Sequence, residues 1–191
     1  MDIEQMRQRL EGGGVTVAVA PLLYPTPMDV ARKMVDYADI TPCSKVLEPS
    51  AGTGNLIKAV REVDKVGHIT AVEIDHNLVQ GLSTDHVTMG DFLEVRPAYE
   101  GNASIIVKDL PHAYYDYVIM NPPFNGGADI KHIQHAMKFL HSGGTLVAVL
   151  ANGPRQQRAF KDICIHWEDL PQGTFKSSGT NVNTAVVTLQ K

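Results

Sequence analysis

Four residues, Asn-Pro-Pro-Phe at positions 121–124, directly follow the apolar run Tyr-Val-Ile-Met. Such a run is typical of a β-strand, and the two prolines keep the chain after it extended and stiff, because proline lacks a backbone N–H and disfavours helical geometry in the preceding residue. The loop presents an amide oxygen, free carbonyls and an aromatic face. These groups can accept hydrogen bonds from an exocyclic amino group and stack on the flat ring that bears it. This is the chemistry that methylation of an amino group requires.

The candidate catalytic residues are therefore Asn121, Pro122, Pro123 and Phe124. The side-chain oxygen of Asn121 and the carbonyl of Pro122 can accept the two N–H groups of an amino group, which directs the nitrogen lone pair out of the ring plane. Phe124 can stabilise the positive charge that develops on that nitrogen. The plainer alternative for this motif is a rigid turn that carries a core aromatic.

Two glycines, Gly52 and Gly54, mark a second candidate site between a strand-like run and a helix-like run. Glycine lets the backbone approach a ligand closely, although the same spacing occurs in ordinary βα turns. Ile57 stands where a dinucleotide-binding loop carries its third glycine, which argues against a nicotinamide cofactor.

Carboxylates follow the next two strand-like runs. Glu73 lies about 20 residues after the glycines, where an acidic side chain can hold the hydroxyls of a ribose, and Asp75 competes for that role. Asp91 can accept a hydrogen bond from an adenine amino group, and Phe92 can cover the face of the ring. Taken singly, such carboxylates are also typical of helix caps and turns.

Strand-like and helix-like segments alternate along the chain. The predicted helices are 27–38, 55–63, 77–82, 129–141 and 154–163, and the predicted strands are 45–48, 68–74, 86–89, 115–120, 145–151 and 184–189, with 103–107 as a strand or a crossover. Thr26 is a good N-cap for the first helix. Alternation of this kind favours a mostly parallel sheet covered on both faces, in which ligands bind at the carboxyl ends of the strands.

Composition limits the classes of function. The chain has 191 residues, of which 43% are hydrophobic and 20% charged, and these values fit a single globular domain over residues 1–191 with residues 1–20 as a candidate N-terminal extension. The formal charge of −4 gives no basic footprint over the whole chain, so any contact with nucleic acid must be local.

The N-terminal segment superficially resembles a signal peptide, because Arg7 and Arg9 precede an apolar stretch at 15–20. Three glycines at 12–14 interrupt that pattern, so we expect a short strand there. No run approaches the ~20 apolar residues that span a bilayer. We expect a cytoplasmic protein without a membrane partner.

Cysteine and histidine do not indicate a metal site. Cys43 and Cys164 lie far apart in sequence and are expected to be reduced structural thiols. His132, His135 and His141 follow one predicted helix without metal-ligand spacing.

Four segments, taken in order, resemble the successive motifs of class I S-adenosylmethionine-dependent methyltransferases. They are 46–56 (Val-Leu-Glu-Pro-Ser-Ala-Gly-Thr-Gly-Asn-Leu), 71–75 (Ala-Val-Glu-Ile-Asp), 90–93 (Gly-Asp-Phe-Leu) and 121–124 (Asn-Pro-Pro-Phe). Tyr-Pro-Thr-Pro at 24–27 resembles the N-terminal cofactor motif of the gamma-type N6-adenine DNA methyltransferases, and it precedes the glycine loop as in that branch. The resemblance implies a doubly wound, Rossmann-like α/β fold, with a mostly parallel seven-stranded sheet whose last strand is antiparallel.

The resemblance implies S-adenosylmethionine as the cofactor. Thr26, Glu48 and the glycine loop would face its methionine portion, Glu73 its ribose hydroxyls, and Ile74, Asp91 and Phe92 its adenine. The implied cofactor contacts are Thr26, Glu48, Ser50, Ala51, Gly52, Gly54, Asn55, Glu73, Ile74, Asp91, Phe92 and Asn121.

The implied substrate is adenine N6 in DNA, flipped out of the duplex or single-stranded, because a stacked base cannot reach such a pocket. Phe175 is the candidate for an aromatic that packs on the extruded base, and Phe124 is its catalytic partner. Arg155, Arg158 and Lys176 are candidate contacts to phosphate, with a solvated surface as the alternative. The residues outside the motifs are too few for a separate target-recognition domain, so we expect the compact form found on phages and mobile elements.

Several alternatives stay open. Related Asn-Pro-Pro-aromatic loops serve RNA (adenine N6 or guanine N2) and protein glutamine amides, and a non-catalytic nucleic-acid-binding or regulatory module could retain the fold. The sequence leaves the protein as a monomer or a homodimer.

Overall fold

The structure is a computed structural model that describes residues 24–97 and 110–191. The expected strand at 15–20, the candidate extension at 1–20 and the segment at 103–107 lie outside the described residues. The helices are α1 (Met28–Ala38), α2 (Asn55–Arg61), α3 (His76–Val79), α4 (Ala128–Ala136) and α5 (Pro154–Phe160). Within 24–97 and 110–191, none of them is long and apolar enough to cross a bilayer.

Seven strands form one sheet. They are β1 (Lys45–Glu48), β2 (His68–Glu73), β3 (His86–Met89), β4 (Tyr115–Met120), β5 (Leu140–Ala151), β6 (His166–Asp169) and β7 (Thr184–Gln190). Their order is β3-β2-β1-β4-β5-β7-β6, and β7 runs in the direction opposite to the other six strands. This confirms the doubly wound, mostly parallel sheet with an antiparallel last strand. The order reverses between β1 and β4, and ligands bind such sheets where the order reverses.

Successive strand residues pack into two cores because helices cover both faces of the sheet. Val46 and Ile69 pack with α1 and α2 on one face, whereas Leu47 and Val118 pack with α4 and α5 on the other. Burial on both faces explains why the inner strands read as continuous apolar runs rather than as alternating ones.

The first helix has the predicted buried face, formed by Val30, Met34, Val35 and Ala38. The prediction that Thr26 caps this helix is wrong. The N-cap is Pro27, and no side chain donates or accepts at this end of the helix. The hydroxyl of Thr26 is free for a different contact, described below.

The largest other differences from prediction are the end of one helix and a strand that was not predicted. The helix expected at 129–141 ends at Ala136, and a 3-10 turn (Met137–Phe139) leads into β5, because Leu140 already pairs with Tyr115 of β4. Strand β6 was not predicted. Its sequence, His-Trp-Glu-Asp, lacks apolar alternation because it is an edge strand that pairs with β7 alone and stays half exposed.

Candidate active site

A cavity of about 300 Å³ opens at the carboxyl ends of β1, β2, β3 and β4. This volume lies at the low end of the range for small-molecule sites. The predicted site residues that line it are Thr26, Ser50, Ala51, Gly52, Asn55, Glu73, Ile74, Asp91, Phe92, Asn121, Pro122 and Pro123. The predicted site residues outside its described lining are Glu48, Gly54, Phe124, Arg155, Arg158, Phe175 and Lys176.

The glycine loop is tied to the end of β2 through Glu73. The buried Glu73 carboxylate accepts hydrogen bonds from the backbone N–H of Gly52 (2.6 Å) and of Asp75 (2.8 Å). Asp75 serves as the N-cap of α3, where its carboxylate accepts from the Asn77 N–H at 2.8 Å. Both residues line the cavity, but Glu73 is the one that is bonded to the glycine loop, whereas Asp75 caps α3.

Gly54 begins α2 in the left-handed region, with φ of 78°. A residue with a side chain adopts that conformation only at a cost, so glycine is required here by the backbone turn. Gly54 therefore shapes the loop, although it is not part of the described cavity lining.

Asp91 and Phe92 lie at the far end of the cavity, after β3. Asp91 caps the 3-10 turn Phe92–Glu94 by accepting from the Leu93 N–H at 2.9 Å. The ring of Phe92 packs against His135 and Phe139, with ring centroids 4.8 and 5.2 Å away. Ile74 is 59% exposed at the rim. The adenine-binding role of this group stays a prediction.

His132 also lines the cavity, and the sequence analysis missed it as a site residue. Its side chain is 8% exposed, and its Nδ1 atom is buried without a hydrogen-bond partner. Burial lowers the pKa of His132, although the nearby Asp91 carboxylate acts in the opposite direction, so the imidazole is held neutral at physiological pH. The buried face of α4, on which Asp129, His132, Ile133 and Ala136 lie, was the available signal.

The other two histidines of the predicted helix have structural contacts. The His135 ring lies 2.8 Å from the Val95 carbonyl, and His141 lies 2.9 Å from Asp116. Within 24–97 and 110–191, no three His, Cys, Asp or Glu side chains are arranged to hold a metal ion.

Glu48 is buried behind the loop that carries Ser50 rather than in the cavity wall. It is 2% exposed; one of its oxygens accepts from the Ser50 N–H at 3.0 Å, and Oε2 has no partner. Burial raises the pKa of Glu48 well above its ordinary value; the Ser50 N–H opposes this shift and the negative charge of Glu73 adds to it. Glu48 is thus not in the described lining but is bonded to Ser50, which is, and its role towards the methionine portion of a cofactor stays a prediction.

Asn121 follows β4 and is held by the segment before α1. Its Nδ2 donates to the Tyr24 carbonyl (3.1 Å) and to the Thr26 hydroxyl (3.0 Å), whereas Oδ1 is buried without a partner. A carbonyl oxygen cannot donate, so the amide nitrogen must be the atom that faces Tyr24. The orientation of the amide is therefore determined, and its oxygen is left as an acceptor beside the cavity.

Phe124 lies in an aromatic row next to Asn121. Its ring is nearly parallel to that of Tyr24 (interplanar angle 7°, centroids 6.3 Å apart) and meets Phe175 edge-to-face, also at 6.3 Å. Phe175 is 1% exposed and packs in the core beneath α1. The expectation that Phe175 faces an extruded base does not match this placement, because its ring is enclosed and supports Phe124 instead.

The predicted phosphate contacts Arg155, Arg158 and Lys176 are exposed and lie outside the described cavity lining. The Arg155 side chain lies near Gly127, and Gly127 belongs to the turn that follows Phe124. The Arg158 guanidinium donates to the Pro154 carbonyl of its own helix at 3.1 Å. Two of these cations are thus on α5, next to the loop of Asn121.

Asp129 fixes the far end of that loop. The fully buried carboxylate accepts from the Ala151 N–H at 3.0 Å and from Gln156 Nε2 at 2.9 Å. These bonds join the start of α4 to the end of β5 and to α5, so the chain after Phe124 is anchored at a defined position.

Comparison with known proteins assigns the chain to a family. The family model described as "Methyltransferase small domain" matches residues 29–173, which is most of the chain. The chain belongs to this family. A dimethyladenosine transferase of Schizosaccharomyces pombe is 33% identical over 105 residues, which cover 50% of the chain and 29% of that relative. The chain thus spans less than a third of the length of this relative.

Solved structures show the same fold. The methyltransferase small domain superposes on a putative RNA methyltransferase from Pyrococcus horikoshii with a TM-score of 0.64 and 18% identity, covering 100% of this chain and 99% of that one. An RNA methyltransferase from Salinibacter ruber, in complex with S-adenosyl-L-homocysteine, has a TM-score of 0.55 and 17% identity, covering 87% and 92%. The fold is that of class I methyltransferases, and the cofactor is S-adenosylmethionine.

The cavity suits a cationic nucleoside. The Glu73 and Asp91 carboxylates and the unpartnered Asn121 oxygen provide acceptors, while the walls include the apolar side chains of Val72 and Leu78. A small number of polar groups on an otherwise apolar wall is typical of such sites. We propose that the predicted contacts in the described lining other than Thr26 and Asn121 hold the cofactor, with Glu73 at its ribose.

We expect Glu73→Ala to weaken binding of S-adenosylhomocysteine by about 10- to 100-fold, because a hydrogen bond to a charged group contributes about 1.5–3 kcal/mol. Isothermal titration calorimetry with this product measures binding without turnover. Glu62→Ala is the control: it removes an exposed carboxylate that pairs with Arg32 outside the described cavity lining, so the affinity should change less than about threefold. Equal losses for the two variants would contradict the assignment.

Proposed function

We propose that this protein transfers a methyl group from S-adenosylmethionine to the N6 amino group of adenine in a nucleic acid, with RNA as the first candidate polymer. The observation that carries the proposal is the Asn121 side-chain oxygen, buried and unpartnered at the edge of the cavity. A buried acceptor without a partner costs free energy, and such groups are retained where a ligand supplies the missing donor.

Asn121 and Pro122 act on the amino group. Asn121 Oδ1 accepts one N–H and the Pro122 carbonyl accepts the other, which draws the nitrogen lone pair out of conjugation with the ring. The two acceptors also stabilise the positive charge that develops on the nitrogen. No general base is required before transfer, because the proton can leave afterwards.

Tyr24 provides a flat surface for the base, because it lines the cavity, whereas Phe124 is buried outside the described lining and supports the Tyr24 ring. Phe124 and Tyr24 lie beside Asn121 with nearly parallel rings. A ring face next to the acceptors suits a planar substrate and adds cation–π stabilisation of a charged nitrogen. When bound, S-adenosylmethionine supplies a methyl group on a positively charged sulfur, and transfer releases one proton from the amino group.

The choice of RNA rests on the relative from Schizosaccharomyces pombe, a dimethyladenosine transferase that is 33% identical to this chain over 105 residues. DNA is the second candidate. The observation that favours it is the order of the motifs, with Tyr-Pro-Thr-Pro at 24–27 ahead of the glycine loop as in gamma-type DNA enzymes. In both cases Arg155 and Arg158 are the proposed phosphate contacts.

The test is transfer of a radiolabelled methyl group to matched substrates. Ribosomal RNA, single-stranded DNA and duplex DNA are incubated with the protein, digested to nucleosides and separated. Label in N6-methyl- or N6,N6-dimethyladenosine from RNA supports the first candidate, and label in N6-methyldeoxyadenosine supports the second. Label in guanosine, or in protein from a cell extract, would overturn adenine as the target. Binding of S-adenosylmethionine without label in any of these substrates would contradict an amino-group methyltransferase.

A further inference from the structure

We infer that Thr26 is a positioning residue for Asn121: its hydroxyl holds the side-chain amide so that Oδ1 stays directed to the substrate amino group. This inference rests on the proposed function for its catalytic meaning. It replaces the expectation that Thr26 serves the methionine portion of the cofactor. The side chain is buried and takes no part in capping α1, so capping does not account for the hydroxyl.

The geometry of the amide carries the argument. Asn121 Nδ2 has two protons, and two acceptors lie within hydrogen-bond distance, the Thr26 hydroxyl at 3.0 Å and the Tyr24 carbonyl at 3.1 Å. Both protons are therefore used, and neither remains for a ligand. The opposite orientation would place Oδ1 against the Tyr24 carbonyl, two acceptors facing each other. Only the first orientation avoids two acceptors facing each other, and that orientation leaves Oδ1 without a hydrogen-bond partner.

The segment that supplies these acceptors is itself held in place. Each of three successive carbonyls accepts from a side chain of a different element: Tyr24 from Asn121, Pro25 from Ser178 (2.7 Å), and Thr26 from Asn55 (2.9 Å). Asn55 is the first residue of α2, directly after the glycine loop, and Ser178 belongs to the 3-10 turn Lys176–Ser178. Pro25 limits the backbone freedom of the segment further.

This arrangement joins the two halves of the site. The glycine loop leads into Asn55, Asn55 donates to the Thr26 carbonyl, and the Thr26 hydroxyl accepts from Asn121. A single residue, Thr26, thus links Asn121, which would accept the amino group, to the loop that would hold the cofactor. A positioning contact of this type influences alignment of the reacting atoms more than affinity for either ligand.

The test compares Thr26→Val with Thr26→Ser. Valine has nearly the same shape but cannot accept the Asn121 proton, whereas serine can. We expect Thr26→Val to lower kcat about tenfold or more, with KM and the dissociation constant of S-adenosylhomocysteine changed less than about threefold. Serine should restore most of kcat. Thr188→Val is the matched control, because it makes the same change at a buried threonine of β7 that lies outside the described cavity lining and whose hydroxyl has no partner; kcat should stay within about threefold.

An NMR measurement tests the contact between Thr26 and Asn121 independently of methyl transfer. The side-chain amide resonances of Asn121, assigned by their loss in Asn121→Ala, report the two bonded protons directly. In Thr26→Val we expect one of them to shift and to exchange faster with solvent, and in Thr26→Ser both to stay close to wild type. Unchanged resonances in a folded Thr26→Val protein would overturn the inference even if methyl transfer is observed. A cofactor affinity that falls as much as kcat/KM would also overturn it, because Thr26 would then act on the cofactor. If wild type methylates no amino group, the proposed function fails while the resonances still decide the contact.

Discussion

Replacing Asn121 with alanine is expected to lower kcat by about 10²–10³-fold while the affinity for S-adenosylhomocysteine changes less than about threefold. The removed oxygen is the buried, unpartnered acceptor beside the cavity, and it acts on charge that develops only during transfer. Loss of one such preorganised group in other enzymes costs about 2.7–4 kcal/mol of transition-state stabilisation. Single-turnover transfer of a radiolabelled methyl group measures kcat, and calorimetry measures the affinity.

Asn125→Ala is the matched control, since Asn125 is an exposed amide in the turn that follows Phe124. Its kcat should stay within about threefold of wild type. Asn121→Asp is the more demanding variant, because it keeps an acceptor but places carboxylate oxygen against the Tyr24 carbonyl. We expect it to lose turnover and some stability as well. An alanine variant that loses cofactor affinity in proportion to kcat would show that this loop holds the cofactor rather than the amino group.

The inner strands of the sheet could be predicted because buried strands consist largely of apolar residues. The centres of the runs 45–48 and 115–120, at 46–47 and 117–120, are apolar on both faces, as a sheet covered by helices requires, and the structure has strands at these positions. Strand β6 was missed because an edge strand does not need an apolar pattern. The end of the helix after 129 was misplaced because pairing between Leu140 and Tyr115 outweighed the local preference for helix up to the glycines.

The candidate site could be predicted only for residues whose place at the end of a strand determines where they lie in the fold. Residues at the ends of β1 to β4 meet at the cavity because parallel strands end at one edge of the sheet. Three features depend on side-chain direction and burial, which sequence patterns do not contain. Thr26 turns to Asn121 instead of capping α1, His132 faces the cavity from α4, and Phe175 is enclosed in the core.

The second large effect is expected from Glu48→Gln, which should raise the free energy of unfolding at pH 7 by about 1–3 kcal/mol. Burial raises the pKa of Glu48 well above its ordinary value of 4.5. Below pH 4.5 the folded and the unfolded chains both hold the proton, and the residue adds no pH dependence. As the pH rises through 4.5 the unfolded chain releases the proton while the folded chain retains it, so stability falls until the pH passes the raised pKa. Glutamine has no proton to release, so the gain should shrink towards pH 4.

Urea denaturation of the ligand-free protein between pH 4 and pH 8 measures this difference directly. Glu62→Gln provides the control, because Glu62 forms an exposed ion pair with Arg32 that lowers its pKa, which gives its small effect the opposite sign. A Glu48→Gln protein that is less stable than wild type at pH 7 would show that the carboxylate is ionised and paired in the folded state.

The expected result instead identifies Glu48 as a group whose burial behind the glycine loop lowers the stability of the fold. A residue that destabilises the ligand-free protein in this way is a candidate for function rather than for folding, because its carboxyl is bonded to Ser50 of the cavity lining. Calorimetry on the same variant with S-adenosylmethionine and with S-adenosylhomocysteine, which lacks the sulfonium charge, then tests whether that carboxyl distinguishes the two.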